Sequence, residues 1–304
     1  MNFSKIGIII PTLNAGPYWV NFLSSIDKLP FKNVRKLIID SSSTDETANI
    51  SIKAGWEVKI INSSDFNHGG TRQLGAEILE DCEILCYLTQ DVIVDDCSVF
   101  NLLIGSFSDS KVGAVCGRQL PHKDANPLAQ HSRKYNYPDK SNDRTFKDVA
   151  MLGTKAAFMS NSFAAYRRSA LIDVGGFPDN IIFGEDLYVT AKMLTKGWSV
   201  SYNASAYCYH SHNYTNLQEF RRYFDIGVLY SREHWIVDIF GNNRKEGLEY
   251  VKSELSYLIY RDALWIPSSI LRNVTKFLAY KLGRNERIFP KKINKFLSMN
   301  KIFW

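Results

Sequence analysis

Two polar segments of the sequence combine residue types that could recognise a nucleotide. Asp40 directly follows the apolar run Leu37-Ile38-Ile39, and a carboxylate there can accept the N3–H of a pyrimidine base. The segment His68-Gly69-Gly70-Thr71-Arg72 places two glycines at a predicted helix start. Free backbone N–H groups at such an end suit a diphosphate, and Arg72 can pair with its oxygens. A turn residue at Asp40 and a solvated Arg72 are the competing interpretations.

The elements that must position these residues alternate between strands and helices. Apolar runs predict strands at residues 5–10, 37–39, 57–61 and 84–88. Helical spacing predicts helices at residues 18–29 and 70–79, and a third helix is predicted from a capping box, Ser43-Thr44-Asp45-Glu46, to Gly55. This alternation predicts an α/β fold with a mostly parallel central sheet between helical layers.

Polar residues follow each of the four predicted strands. They are Thr12-Leu13-Asn14, Asp40-Ser41-Ser42-Ser43, residues 65–72 and Thr89-Gln90-Asp91. Because open α/β sheets bind ligands at the carboxyl ends of their strands, we expect one nucleotide-binding crevice there. A dinucleotide-binding dehydrogenase and a P-loop enzyme are disfavoured, since no Gly-x-Gly-x-x-Gly follows the first strand and no Gly-Lys dipeptide occurs.

The second half of the sequence is less regular. Residues 117–150 are polar with little periodicity, which predicts a long functional loop. Within it, residues 118–127 could fold over a bound sugar, with Lys123, Asp124 and Asn126 as candidate contacts to hydroxyl groups, and a solvated loop is the alternative. A helix near 187–194, a strand near 198–209 and a helical pattern beyond residue 212 follow. The predicted division is a domain of residues 1–212, with a nucleotide-binding half (1–95) and an acceptor half (96–212), and a helical region of residues 213–304.

The positive charge belongs to the predicted helical region. The whole chain has a net charge of +6, yet residues 261–304 hold ten Lys or Arg and only two acidic residues. These cations alternate with aromatic and aliphatic residues, as in helices that lie on anionic lipid. Nucleic-acid binding and an amphipathic bundle packed on the main domain are the alternatives, and a homodimer formed through this region stays open.

Several features indicate a cytoplasmic setting. The five cysteines are odd in number and form no Cys-x-x-Cys pair, so we expect no disulfide framework and no zinc site. No 18-residue stretch is apolar enough for a membrane span. The apolar run after residues 1–5 is too short for a signal-peptide core.

The ordered motifs resemble those of a known enzyme family. Residues 5–212 contain PTLN, IDSSSTDET, FNHGGTR, LTQDV, VGGFP, FGEDLYVTAKMLTKGW and YCYHSHN, in that order. The series resembles the inverting nucleotide-sugar glycosyltransferases of family 2, which have the GT-A fold. The forms FNHGGTR, LTQD and RQLPHKDANPLAQHSRKYNYP look like those of bacterial rhamnosyltransferases that build O-antigen from dTDP-L-rhamnose.

The resemblance implies roles for particular residues. Asp186 is the expected general base, which takes the proton of the attacking hydroxyl. Asp91 stands at the second acid of the D-x-D metal motif and Thr89 replaces the first, so Asp91, with His210 or the nearby His212, is expected to hold Mg²⁺ or Mn²⁺. The other expected donor contacts are Thr12, Asn14, Asp40, Ser42, His68, Gly69, Gly70, Arg72 and Gln90, and the expected acceptor-side contacts are Lys123, Asp124, Asn161 and Glu185.

The resemblance also implies a reaction. The expected enzyme moves L-rhamnose from dTDP-β-L-rhamnose to a hydroxyl of a polyprenyl-diphosphate-linked saccharide, as a peripheral protein at the cytoplasmic face of the bacterial inner membrane. A single carboxylate suffices for inversion, because only double displacement needs a second, nucleophilic one. A UDP-hexose donor and a non-catalytic module that only binds nucleotide sugar or lipid are the alternatives.

Overall fold

A computed structural model describes residues 5–29, 31, 34–241 and 244–304. Residues 1–4 lie outside the described residues. They belong to the N-terminal segment whose sequence argues against a signal peptide. The strands of the described part are β1 (Ile6–Thr12), β2 (Val34–Asp40), β3 (Glu57–Ile60), β4 (Ile84–Leu88), β5 (Val112–Leu120), β6 (Asn142–Arg144), β7 (Phe163–Arg167) and β8 (Ser199–Tyr209). They form one sheet in the order β3-β2-β1-β4-β7-β5-β8-β6.

The strand directions confirm the predicted, mostly parallel sheet. Strands β1 to β4 run parallel where they pair, and β8 runs parallel to β5. Strand β7 is antiparallel to both of its neighbours, β4 and β5. The carboxyl ends of β1–β5 and β8 therefore lie at the same edge of the sheet as the start of β7.

Helices cover both faces of this sheet. Along β1, Ile8 and Ile10 pack with residues of the helices at 19–26 and 98–105 on one face, whereas Ile9 packs with residues of the helices at 68–78, 168–173 and 185–195 on the other. Strands buried on both faces read as continuous apolar runs, which is why the sequence pattern found them. The helices are α1 (Trp19–Ile26), α2 (Thr47–Lys53), α3 (His68–Ile78), α4 (Ser98–Gly105), α5 (Pro127–Asn136), α6 (Val149–Leu152), α7 (Arg168–Asp173), α8 (Glu185–Thr195), α9 (Asn216–Arg232), α10 (His234–Phe240), α11 (Arg244–Arg261), α12 (Ile266–Arg284) and α13 (Lys291–Leu297).

The predicted long loop at residues 117–150 is wrong. This segment contains the end of β5, all of α5 and β6, and the start of α6. Helix α5 begins with an Asn126 side chain that accepts the Ala129 N–H, followed by Pro127 at the first helical position. Its buried face includes His131, a polar residue that a hydrophobic periodicity does not count. The capping residue and the proline are visible in the sequence. The apolar stripe, however, is too weak to predict a helix there.

The predicted capping box at Ser43-Thr44-Asp45-Glu46 is also wrong. Helix α2 begins at Thr47, and the Asp45 carboxylate accepts the Thr47 N–H at 3.0 Å. The Ser43 hydroxyl instead donates to Asp40 at 2.6 Å. The Ser43 hydroxyl, which the sequence pattern assigned to the start of the helix, is thus bound by the Asp40 carboxylate at the end of β2.

The region after β8 is helical, as predicted. Helices α9 and α12 approach closely at two glycines, since a Cβ atom on Gly283 would lie 2.0 Å from the Phe224 carbonyl oxygen and one on Gly227 would lie 2.4 Å from that of Tyr280. Among the described residues, no helix is both long and apolar enough to cross a membrane. The domain boundary at residue 212 stays a prediction.

Candidate active site

Side chains from distant parts of the chain meet at the carboxyl edge of the sheet. Asp40 ends β2, Asp91 follows β4, and His210 follows β8. Asn161 precedes β7, whose reversed direction brings it to the same edge. The strand order, rather than any local motif, assembles this crevice.

Asp40 holds together the loops on the nucleotide side of the crevice. Its buried carboxylate accepts the Ser43 N–H at 2.8 Å through Oδ1, and the Thr12 and Ser43 hydroxyls at 2.9 and 2.6 Å through Oδ2. These bonds tie the ends of β1 and β2 to one another. Recognition of a pyrimidine by Asp40 stays a prediction, and the observed contacts give this residue an organising role.

The loops beside Asp40 have unusual backbone conformations. Asn14 and Ser42 have φ angles of 47° and 60°, in the left-handed region that residues with a Cβ atom rarely adopt. The Asn14 side chain accepts the Thr44 N–H at 2.8 Å. Gln90 binds both the N–H and the carbonyl of Leu13 through its amide, at 2.8 and 3.0 Å. These bonds fix the rim where a nucleotide is expected.

The two glycines of the His68–Arg72 segment serve packing and capping. A Cβ atom on Gly69 would lie 1.7 Å from the Pro178 carbonyl oxygen, so this position requires glycine. The Gly70 N–H donates to the Asn67 side chain at 2.6 Å. It is therefore not the free donor that the sequence analysis expected for a diphosphate. Burial lowers the pKa of His68 and so favours the neutral form of its ring.

Arg72 pairs with an acid inside the protein. Both Arg72 and Glu185 are buried, and their Nη1 and Oε1 atoms lie 3.1 Å apart. Asn161 donates to the same Glu185 oxygen at 3.0 Å and accepts the Tyr166 hydroxyl at 2.7 Å. Burial opposes ionisation of Glu185, but the Arg72 charge, the hydrogen bond from Asn161 and the other neighbours together outweigh it and lower the pKa of that carboxyl. Arg72 and Asn161 thus hold Glu185, and their predicted contacts with substrate stay predictions.

Asp186 lies beside this ion pair at the start of α8. Its carboxylate is half-buried and accepts the Leu187 N–H at 2.8 Å and the Asn161 N–H at 3.3 Å. Burial and the neighbouring Glu185 charge raise the pKa of Asp186 to about 7. A carboxylate with a pKa near the working pH is suited to accept a proton from a hydroxyl.

Asp91, His210 and His212 form a cluster with the chemistry of a metal site. One ligand atom from each lies within 4.8 Å of the others, and the Asp91 Oδ2 atom is 3.4 Å from His210 Nε2 and 3.6 Å from His212 Nε2. Burial disfavours the charged form of Asp91, yet His210 and the other neighbours hold its pKa well below the usual range. Burial and His210 lower the pKa of His212 to about 4, so its ring is neutral at pH 7. One carboxylate and two imidazoles fit a divalent transition-metal ion such as Mn²⁺.

Lys123 and Asp124 lie exposed on the short connection between β5 and α5. This connection is bound to the segment that carries the histidines, because the Asn213 amide donates to the Asp124 carbonyl at 3.0 Å and accepts the Asn126 N–H at 2.8 Å. Both candidate acceptor contacts therefore lie on a connection that is bound to the segment after β8. Their contact with hydroxyl groups stays a prediction.

Three residues that hold side chains of the site in place were not predicted from the sequence. Gln119 contacts His210, Asn67 caps α3, and Tyr166 orients Asn161. Gln119 stood inside a quoted motif, whereas nothing in the pattern around Tyr166 distinguished it from an ordinary core residue.

Comparison with known proteins identifies relatives along the whole chain. The model of glycosyl transferase family 2 matches residues 7–175. The O-antigen chain rhamnosyltransferase RfbN of Salmonella typhimurium is 45% identical over 301 residues, which cover 99% of this chain and 96% of that protein. The O-antigen chain rhamnosyltransferase WbaN of Salmonella anatum is 43% identical, over 98% of this chain and 95% of that protein.

Solved structures confirm the predicted fold class. The mannosyltransferase PcManGT from Pyrobaculum calidifontis, in complex with GDP-Man and Mn²⁺, aligns with a TM-score of 0.63 at 15% identity, over 93% of this chain and 86% of that one. Residues 1–349 of S. aureus TarS, in complex with UDP-GlcNAc, align with a TM-score of 0.56 at 15% identity, over 98% and 85%. At these identities the likeness concerns the fold alone.

Proposed function

Because the chain belongs to glycosyl transferase family 2, we propose that it transfers L-rhamnose from dTDP-β-L-rhamnose to a hydroxyl of a polyprenyl-diphosphate-linked saccharide during O-antigen synthesis. The assignment as a glycosyltransferase follows from the family. The rhamnosyl donor is supported by the near full-length similarity to two O-antigen chain rhamnosyltransferases. The observation that carries the chemistry is the half-buried Asp186, whose pKa of about 7 suits a base.

Asp186 acts as the base in this proposal. As the acceptor hydroxyl oxygen forms its bond to the anomeric carbon, the hydroxyl proton passes to an Asp186 carboxylate oxygen. The bond between the anomeric carbon and the diphosphate oxygen breaks at the same time, and dTDP leaves with the electron pair. A single displacement of this kind inverts the anomeric carbon and needs no second carboxylate.

The cluster of Asp91, His210 and His212 would hold the divalent ion, Mg²⁺ or Mn²⁺. Such an ion supplies positive charge that neutralises the diphosphate as it becomes a leaving group. The relative PcManGT was solved with Mn²⁺, and two imidazoles favour Mn²⁺ over Mg²⁺ at this site. The rim built by Thr12, Asn14, Asp40, Ser42 and Gln90 would then take the nucleoside.

The C-terminal region would bring the enzyme to its lipid-linked acceptor. One face of α12 is packed on α9, whereas the opposite face exposes a stripe of apolar side chains, each more than half accessible: Ile270, Leu271, Val274, Phe277 and Leu278. Lys281 lies on the same face one turn further, and ten cations occur after residue 260. Exposed apolar side chains flanked by cations fit a membrane that contains anionic lipid, as at the cytoplasmic face of a bacterial inner membrane.

Flotation with liposomes tests this membrane surface. The wild-type protein should float with vesicles that contain anionic lipid, and Phe277→Glu with Leu278→Glu should reduce the bound fraction at least about tenfold, since each buried apolar side chain contributes about 1.5–3 kcal/mol. Ile52→Glu, on the exposed surface of α2, is the matched control and should float like wild type. Undiminished flotation of the double variant would contradict the proposal, and a wild-type dimer lost in that variant would assign the face to a second copy.

Calorimetric binding of donors tests the proposed substrate. The experiment titrates dTDP-L-rhamnose and UDP-glucose separately into the wild-type protein, with and without Mn²⁺. We expect metal-dependent binding of dTDP-L-rhamnose only. Tighter binding of UDP-glucose would keep the family and the base but reject the rhamnosyl donor, and failure of both to bind would support a non-catalytic role.

A further inference from the structure

Gln119 occupies a buried position behind the metal cluster. It is 1% exposed near the end of β5, and its Oε1 atom lies 2.9 Å from the Nδ1 atom of His210. The same oxygen accepts a hydrogen bond from Arg133 Nη1 at 2.6 Å, and the Gln119 Nε2 atom donates to the Ser160 hydroxyl at 2.8 Å. Every polar atom of this side chain therefore has a partner.

The Arg133 contact fixes which way the Gln119 amide points. A guanidinium can only donate hydrogen bonds, so the amide atom facing Arg133 must be the oxygen. The nitrogen then points to Ser160, whose hydroxyl can accept. A flipped amide would place its NH₂ group against the donors of Arg133, so this orientation follows from the chemistry of the partners.

The fixed amide in turn determines the tautomer of the neutral His210 ring. An oxygen 2.9 Å from Nδ1 requires that this nitrogen carry the proton. In a neutral imidazole the other nitrogen then has a free lone pair. That nitrogen, Nε2, is the atom 3.4 Å from Asp91 Oδ2, so the lone pair points into the cluster.

The surrounding backbone holds His210 in the same place. The His210 N–H donates to the Leu120 carbonyl at 2.9 Å, and the His122 N–H donates to the Ser211 hydroxyl at 3.0 Å. The end of β5 and the connection that follows it are thus bound to the residues after β8. The polar segment after residue 117, first interpreted as a sugar-covering loop, supplies these bonds.

We infer that Gln119, oriented by Arg133, is a positioning residue that holds His210 as the Nδ1–H tautomer and presents its Nε2 lone pair to the divalent ion. The inference rests on the metal site of the proposed function. It also assigns Arg133 a role through Gln119 rather than through substrate.

Binding of Mn²⁺ to the protein in the presence of dTDP tests the inference, with electron paramagnetic resonance reporting free Mn²⁺. Gln119→Leu removes the acceptor and should weaken Mn²⁺ binding by about 10–100-fold, the usual effect of losing the partner of a metal-ligating histidine. Gln119→Glu keeps an acceptor for both Arg133 and His210 and should bind within about threefold of wild type. Wild-type affinity in Gln119→Leu would overturn the inference.

Two controls separate the inference from its premise. Gln130→Leu removes a half-buried glutamine of the same helix as Arg133 that binds the Ala125 carbonyl and Tyr257, and it should leave Mn²⁺ binding unchanged. Asp91→Asn should weaken Mn²⁺ binding by at least about 100-fold; if it does not, the metal site itself is misplaced and the proposed function fails at that point. If only Gln119→Leu behaves like wild type, the positioning role alone is wrong.

The tautomer can also be measured without any variant of Gln119. Long-range ¹⁵N–¹H spectra of histidine-labelled, metal-free protein distinguish protonated from unprotonated ring nitrogens, and His210→Gln identifies the signal to follow. We expect His210 at pH 8 to carry its proton on Nδ1. A spectrum with the proton on Nε2 would overturn the inference even if Gln119→Leu failed to fold.

Discussion

The crevice contains two aspartates in opposite electrostatic surroundings, Asp91 and Asp186. Asp91 faces His210 and His212, which hold its pKa well below the usual range. Asp186 lies beside Glu185 in a more enclosed position, where burial and that charge raise its pKa to about 7. The same residue type is thus kept ionised at one position and poised to take a proton at the other.

This difference separates the two tasks of a glycosyl transfer. A metal ligand must stay ionised at every working pH, whereas a base must be able to change its protonation state during the reaction. Carboxylates whose surroundings drive their pKa values apart commonly have such divided roles. The contrast between Asp91 and Asp186 therefore predicts that their variants fail in different ways.

The largest expected effect is that of Asp186→Asn on turnover. The amide cannot take the hydroxyl proton, so kcat should fall about 10²–10⁴-fold, while the donor Kd should change less than about threefold. Steady-state kinetics and calorimetry measure the two quantities, and Asp179→Asn, an exposed acid before the same helix, serves as control. Activity close to wild type in Asp186→Asn would remove Asp186 as the base.

The effect of Asp91→Asn should be large but conditional on metal. Loss of the only carboxylate of the cluster should weaken metal-dependent donor binding by at least about 100-fold, more than the loss of an outer-shell partner costs. Excess Mn²⁺ should restore part of the donor binding and turnover of Asp91→Asn. In Asp186→Asn it should restore no turnover. Titration of Mn²⁺ at fixed donor separates the two variants, with the exposed Asp95→Asn as control. Equal rescue of both, or of neither, would break the proposed division of roles.

Much of the fold could be predicted because its first half follows simple rules. Strands buried on both faces read as apolar runs, and Ile8, Ile9 and Ile10 are all fully buried. Helix α5 escaped detection because its buried face uses His131 in place of an apolar residue. The antiparallel β7 could not be predicted either, because strand direction depends on pairing and not on local pattern.

The residues of the candidate site could be predicted from the sequence, but the contacts between them could not. Asp91 and His210 could be named separately, but only the strand order shows that the ends of β4 and β8 share an edge. The pairing of Arg72 with Glu185 was hidden for the same reason. From the sequence both residues were predicted to contact substrate, because the partner of each charge is distant along the chain.

The smallest predicted effect concerns the pH profile of Glu185→Gln. The Glu185 charge helps to raise the pKa of Asp186, so its removal, which also frees the Arg72 charge, should lower that pKa by about one unit. Because the reaction needs the ionised base, kcat/KM falls as the pH drops through this pKa, and the fall should move to lower pH in the variant. Glutamine can still accept hydrogen bonds from Arg72 and Asn161, which limits the loss of stability.

The control is Glu77→Gln, which changes an exposed acid on α3 and should leave the pH profile unchanged. An acidic limb that stays in place or moves to higher pH in Glu185→Gln would show that Glu185 does not set the basicity of Asp186, and the contrast with Asp91 would then rest on burial alone.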